Sequence, residues 1–175
     1  MELSGKENKF SVSVLIASDR ASSGEREDKC LPIFRSLLTK AGFQISKTAV
    51  CSDAPQEIRA ALALMLENEP DLIFTSGGTG CGPRDDTPDV VEKLLDKRTP
   101  GVDEAIRRFS QKKSKYAIYS RGISGLAGKT FLVSLPGSPK AVAEILEFLL
   151  PTIVHPLKLI SDQIVDCASE ISNDD

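Results

Sequence analysis

Apolar positions follow two periods along this chain, one of about two residues and one of three to four, in alternating blocks. Phe10-Ser-Val-Ser-Val-Leu-Ile-Ala17 is rich in β-branched residues and becomes continuously apolar, which marks a strand buried on both faces. From Asp28 to Ala41, Leu31, Phe34, Leu37 and Leu38 recur at helical spacing, and Gly42 stands where a helix C-cap belongs. Phe43 to Cys51 alternates loosely through Phe43, Ile45 and Val50 as a second strand. Ser52-Asp53-Ala54-Pro55 leads into a helix with the stripe Ile58, Leu62, Met65 and Leu66; Asp53 reads as its N-cap, with Pro55 in the first turn.

Asp71 to Thr75 is a third apolar run. It breaks into a loop with four glycines, Gly77, Gly78, Gly80 and Gly82, before Thr87-Pro88 opens a helix that runs to Leu95. Thr99-Pro100-Gly101 interrupts, and Val102 to Lys113 forms another helix with Ile106 and Phe109 inward. Tyr116 to Lys129 is ambiguous, since Tyr-Ala-Ile-Tyr fits the end of a helix or a short strand. Thr130 to Leu135 is a strong strand running into Pro136-Gly-Ser-Pro-Lys140. The helix Lys140 to Leu150 presents Val142, Ile145, Leu146 and Leu149, and Pro151 is expected to end it before a short helix from Thr152 to Ile160.

No repeat or linker divides the pattern, so one domain is expected over 10–160, between a flexible N-terminus, 1–9, and a polar C-terminal tail, 161–175. Strands alternating with helices imply an α/β fold, three layers α/β/α around a mostly parallel sheet. Three loops, Ser18 to Gly24, Gly77 to Thr87 and Pro136 to Lys140, leave the C-terminal ends of strands. If those strands are neighbours, the loops meet in one crevice, where open α/β sheets bind ligands.

Composition changes this picture little. The 175 residues, 41% hydrophobic and 27% charged, suit a globular domain that needs no disulfide. Cys30, Cys51, Cys81 and Cys167 are too far apart for a zinc or redox motif and read as reduced thiols. A net charge of −3, with Lys and Arg dispersed, gives no sign of a nucleic-acid partner. The polar start lacks the apolar core of a signal peptide, and no segment approaches the length of a membrane span, so a cytoplasmic location is expected.

The chemistry concentrates in the loops. Glycines let backbone N–H groups approach an anion, and the helix N-terminus that follows adds unpaired donors. Arg84 can pair with phosphate, while Asp85 and Asp86 are hard oxygen ligands for magnesium. A tight turn alone would also explain the glycines, and the spacing fits neither the dinucleotide fingerprint nor the P-loop. Ser18-Asp-Arg-Ala-Ser-Ser-Gly24 groups hydroxyls with Asp19 and Arg20; caps and turns account for the serines, but less readily for the arginine. His155, the single histidine, lies in a helix far from every loop, and Cys81 has no histidine near it. Such a crevice works by positioning and electrostatics on a substrate that brings its own nucleophile.

Three motifs in order, Ser18-Asp-Arg-Ala-Ser-Ser-Gly24, Thr75-Ser-Gly-Gly-Thr-Gly80 with Pro83-Arg-Asp-Asp-Thr-Pro88, and Leu135-Pro-Gly-Ser-Pro-Lys140, carry a resemblance that covers roughly Phe10 to Ile160. Together they resemble the molybdopterin adenylyltransferases of molybdenum cofactor biosynthesis, the MogA type of bacteria and the G domain of plant and animal fusion proteins such as gephyrin. The resemblance implies a MogA-like fold, ATP and molybdopterin as substrates, and magnesium as cofactor. It implies transfer of AMP to the terminal phosphate of molybdopterin with release of pyrophosphate, a homotrimer, and a molybdenum-inserting, MoeA-type enzyme as partner.

Carried over by position, Asp85 of the Pro-Arg-Asp-x-Thr-Pro motif is a catalytic or metal-positioning carboxylate, and Asp53 is the second catalytic carboxylate. Gly77, Gly78, Thr79 and Gly80, with Pro136, Gly137, Ser138 and Pro139, would hold phosphates. Ser18, Asp19, Arg20, Ser22 and Ser23 would shape the pterin side with Ser120 and Arg121; Arg84 and Thr87 complete the substrate-binding set. Asp85 and Asp86 would meet the metal. Asp86 departs from the family, which commonly has an apolar residue there, and Cys81-Gly82 is a variable part of the loop. Two rival readings stand beside transfer: a molybdopterin-binding or scaffold module without turnover, and a nucleotide pyrophosphate hydrolase.

Overall fold

The computed structural model describes residues 10–161. The segments 1–9 and 162–175 lie outside the described residues; Ser161 caps the last helix. Four strands, β1 (Ser11–Ala17), β2 (Gln44–Cys51), β3 (Leu72–Ser76) and β6 (Thr130–Leu135), pair in parallel. Two short ones, β4 (Lys97–Arg98) and β5 (Ser124–Ala127), extend the sheet antiparallel, giving the order β2-β1-β3-β6-β5-β4. The expected mostly parallel sheet is therefore present, with an antiparallel flank that hydrophobic periodicity did not reveal.

Alternate residues of each central strand enter opposite cores, as burial on two faces requires. Val12, Val14 and Ile16 of β1 and Phe74 of β3 join Phe34 and Leu38 of α2 (Cys30–Lys40), Ile106 of α5 (Pro100–Gln111), and the apolar face of α6 (Pro139–Ile160). On the other side, Leu15, Ile73 and Leu132 meet Ile58, Leu62 and Met65 of α3 (Pro55–Leu66) and Val90 and Val91 of α4 (Thr87–Glu92). Each such side chain contributes about 1.5–3 kcal/mol on burial. A one-turn helix, α1 (Asp19–Ser22), follows β1, and a 3-10 turn spans Lys115–Tyr119.

Three boundaries differ from expectation. Pro151 does not end the last helix: α6 runs through both Pro151 and Pro156. An interior proline costs about 3 kcal/mol, but Leu149, Leu150, Ile153 and Leu157 are all buried, and ending the helix at Leu150 would lift the last two from the core. α5 begins at Pro100 rather than at Val102, because a first-turn N–H has no intrahelical partner to lose. Asp53 is not the N-cap of α3; Ala54 occupies that position without a side-chain hydrogen bond. Ser52 Oγ accepts from Ala54 N at 3.3 Å and Glu57 accepts from Ser52 N at 3.1 Å, which leaves the Asp53 carboxylate for the crevice.

Candidate functional site

The parallel register puts Ala17, Cys51, Ser76 and Leu135 at one edge of the sheet, so the loops after β1, β3 and β6 converge as expected. Backbone bonds join them: Ser18 N donates to Cys51 O at 2.9 Å and Gly77 N to Leu135 O at 3.1 Å, while Ser76 Oγ donates to Pro136 O at 2.9 Å. Gly77 has φ +106°, and a side chain there would run into the Ala17 carbonyl. That close approach seals the floor of the crevice.

Two cavities open above it. One, of about 330 Å³, lies between the β1 and β3 loops and is lined by Ser18, Asp19, Arg20, Asp53, Gly77, Gly78, Asp85 and Gly137. The other, of about 530 Å³, lies between the β3 and β6 loops, α5 and the 3-10 turn, with Thr79, Gly80, Ser120, Pro136 and Ser138 in its wall. Gly78, Asp85 and Gly137 line both. Asp85 thus stands where the compartments adjoin, held by its own loop: Asp85 Oδ2 accepts from Gly82 N at 2.7 Å, and Asp85 N donates to Gly82 O at 3.1 Å.

Asp53 and Asp19 interlock across the β2 and β1 loops. Asp53 Oδ2 accepts from Asp19 N at 2.9 Å, and Asp19 Oδ1 accepts from Asp53 N at 2.9 Å. Arg84 reaches over from the glycine loop to the same Asp19 oxygen at 2.7 Å. The Arg84 hydrogen bond, helped by the Asp53 N–H, holds the Asp19 carboxyl below the usual carboxylate range, and Arg84 is correspondingly raised. This pair is exposed and easily exchanged for another anion.

Several expected residues serve the loops themselves. Ser22 and Ser23 donate back to Asp19 O and Arg20 O, and Ser18 Oγ caps the same turn by accepting from Ala21 N. Ser22 and Ser23 line neither cavity, and nor do Asp86, at the head of α4, and Pro139, the first residue of α6. Thr87 is fully buried beneath Gly78, with its hydroxyl lacking a hydrogen-bond partner. Arg121 lines neither cavity and binds the glycine loop at Gly80 O and α4 at Asp89.

Residues not anticipated also line the cavities. Arg26 and Asp28 of the loop before α2, with Cys30 at its start, enter the smaller one, and Arg107, Lys113, Tyr116, Tyr119 and Glu144 the larger. Their motifs are silent because the residues sit on helices, a 3-10 turn and connecting loops whose position depends on the whole fold. Burial raises the Cys30 thiol and pushes Cys51 up to about 11, so neither is a nucleophile; Cys81 is exposed. Among the described residues, no three acidic, histidine or cysteine side chains gather as a metal cage. No helix among them is long and apolar enough to cross a membrane.

A mostly parallel α/β sheet whose strand ends carry two adjoining cavities, the smaller polar and the larger mostly apolar, with Asp85 and glycine backbone at their junction, has the ligand-binding arrangement of open α/β folds. The chain belongs to the family described as "Probable molybdopterin binding domain", whose model matches residues 13–155. It is 36% identical over 149 residues to a molybdenum cofactor biosynthesis bifunctional protein of Chlorobaculum tepidum, covering 85% of this chain and 48% of that one. It is also 36% identical over 152 residues to the molybdopterin adenylyltransferase of Helicobacter pylori, covering 85% of this chain and 86% of the relative. The structure of the molybdopterin biosynthesis enzyme MoaB from Thermus thermophilus superposes with a TM-score of 0.82 at 39% identity, over 87% of this chain and 97% of that one. The expected MogA-like fold is therefore the fold found. Against the larger relatives the chain is a part, spanning less than half their length.

Proposed function

We propose that this chain is a molybdopterin adenylyltransferase, transferring AMP from ATP to the terminal phosphate of molybdopterin in molybdenum cofactor biosynthesis. The observation that carries the reading is the pair of cavities sharing Asp85, since a two-substrate transfer needs two ligands to meet at one point. Relatives of similar length named molybdopterin adenylyltransferase support it.

In the reaction an oxygen of the molybdopterin phosphate attacks the α-phosphorus of ATP. A new phosphoanhydride bond forms, the bond to the bridging oxygen breaks, and pyrophosphate leaves with the electron pair. The nucleophile is already anionic, so no strong base is required, in keeping with the distance of His155, within α6, from both cavity linings. The obstacle is repulsion between anions. Gly77, Gly78 and Arg20 line the smaller cavity, and Arg84 can leave Asp19 for a phosphate.

Asp85 and Asp53, facing one cavity, fit the way magnesium is usually bound, through one or two carboxylates together with substrate phosphates. Asp86, also expected to meet the metal, lines neither cavity and leaves the ion to these two carboxylates. Bound there, the ion would neutralise developing charge on the phosphates. The full assembly we propose is a homotrimer that works with a molybdenum-inserting enzyme of the MoeA type.

The test is incubation of the purified protein with molybdopterin, ATP and magnesium, followed by chromatography. Adenylylated molybdopterin and pyrophosphate in equal amounts, dependent on magnesium and lost in Asp85→Ala, are expected. Tight molybdopterin binding without product would indicate a binding module, and AMP without the adenylylated pterin would indicate a hydrolase.

A further inference from the structure

The segment Ser120-Arg121-Gly122 lies outside the glycine loop, yet Arg121 touches that loop along much of its length. Its backbone N–H donates to Thr79 O at 2.8 Å and its Nε to Gly80 O at 2.8 Å. Its Nη2 donates to the Asp85 carbonyl. The guanidinium then closes on the Asp89 carboxylate in α4, Nη1 to Oδ1 at 3.1 Å and Nη2 to Oδ2 at 2.9 Å. One side chain therefore fastens the beginning of the loop, the residue at the cavity junction, and the helix that follows.

The donors engaged in this way are those a phosphate would need, and Arg121 lines neither cavity. A guanidinium offers several N–H groups in a rigid planar fork, which suits two loop carbonyls and a carboxylate of the following helix; an ammonium offers no such fork. The Asp89 pair is half-exposed, with side-chain exposures of 39% and 48%, so it adds little to global stability. What the contacts constrain is local: the stretch 80–85, whose other ties include Gly82 N to Asp85 Oδ2 and Asp85 N to Gly82 O. Loop backbone without such ties samples many conformations, and a carboxylate displaced by about 1 Å can lose about a hundredfold in rate.

We propose that Arg121 is a positioning residue for Asp85, acting through the carbonyls of Gly80 and Asp85 rather than by contact with a substrate. Its kinetic consequences rest on the adenylyl-transfer reading; its structural consequence does not.

The experiment compares wild type, Arg121→Ala and Arg121→Lys. Transfer is followed with ATP, magnesium and molybdopterin, and amide hydrogen exchange is recorded for all three proteins. Positioning predicts that kcat falls about 100-fold in both variants, with the ATP KM little changed. It also predicts that added guanidinium restores Arg121→Ala, and that exchange at Gly82, Asp85 and Thr87 quickens while the strands stay protected. A lysine variant with wild-type kcat, a loss carried by KM alone, unchanged exchange over 79–89, or unfolding of the lysine variant would each overturn the proposal. If wild type makes no product while loop exchange still quickens in the variants, the transfer reading fails and the positioning of Asp85 stands.

Discussion

Asp103 and Asp19 each meet an arginine within 3.0 Å, yet in opposite surroundings. The Asp103 side chain, on the first turn of α5, is 2% exposed; Arg98 of β4 binds Oδ2 at 3.0 Å and Ser124 of β5 binds Oδ1 at 2.6 Å. Thr99 and Ser124 exchange a further bond, and Arg98 reaches Glu92 at 2.6 Å. This cluster fastens the antiparallel flank to α5, and every partner is fixed by the fold. Asp19 is 44% exposed, shares its carboxylate between Arg84 and the Asp53 N–H, and opens onto a cavity. Charge inside the flank holds structure; charge at the parallel strand ends is available to a ligand.

The widest separation is expected from Asp85→Ala, which should lower transfer by about 10²–10³-fold while unfolding stability stays within about 0.5 kcal/mol of wild type. Rates of product formation alongside thermal unfolding check both halves. Arg98→Ala reverses the pattern. It leaves the Asp103 charge buried without its cation and should destabilise the domain by about 3 kcal/mol, with the transfer rate per folded molecule unchanged, as denaturant titration and kinetics would show.

Arg84→Ala should act on transfer alone and more mildly, by about tenfold, because its ion pair with Asp19 is exposed and contributes little to folding. The smallest effect is a pH dependence. The Asp19 carboxyl is lowered in the folded protein, so its contribution to stability is present above the ordinary carboxylate pKa and disappears as pH falls through its own lower value. Unfolding midpoints of wild type and Asp19→Asn should therefore converge only once the pH has fallen well below about 4.

The same division explains what was legible from residue order. The parallel half announces itself, because strands buried on both faces are continuous apolar runs and their exits need glycine, serine and proline; β1, β3, β6 and the three loops follow directly. The antiparallel flank does not. Lys97-Arg98 has no apolar pattern, and Ser124-Gly-Leu-Ala127 is too short for one; Gly125 is required only because the Lys97 carbonyl of the paired strand lies where a side chain would be. Asp103 carries no signal in residue order that sets it apart, and is buried by partners from two other elements.

Within the crevice, the glycine loop, Asp53 and Asp85 were legible as residue types at strand ends. Their division of labour was not. Asp53 had the sequence position of a helix cap, and Arg121 was expected to shape the pterin side, whereas in the fold Asp53 meets Asp19 and Arg121 meets the glycine loop. The large cavity's wall from α5 and the 3-10 turn was invisible for the same reason, since Arg107, Lys113 and Tyr116 meet the glycine loop only through tertiary packing.

The most direct measurement is a side-by-side assay of Asp53→Asn and Asp103→Asn, each scored for adenylyl transfer to molybdopterin and for its unfolding midpoint. Asp53→Asn keeps the shape of the interlock with Asp19 and should lose at least about a hundredfold in transfer at an unchanged midpoint, while Asp103→Asn should unfold earlier and keep its rate per folded molecule. An Asp53→Asn protein that unfolds as early as Asp103→Asn but transfers AMP at the wild-type rate would contradict the assignment of the crevice carboxylates to chemistry.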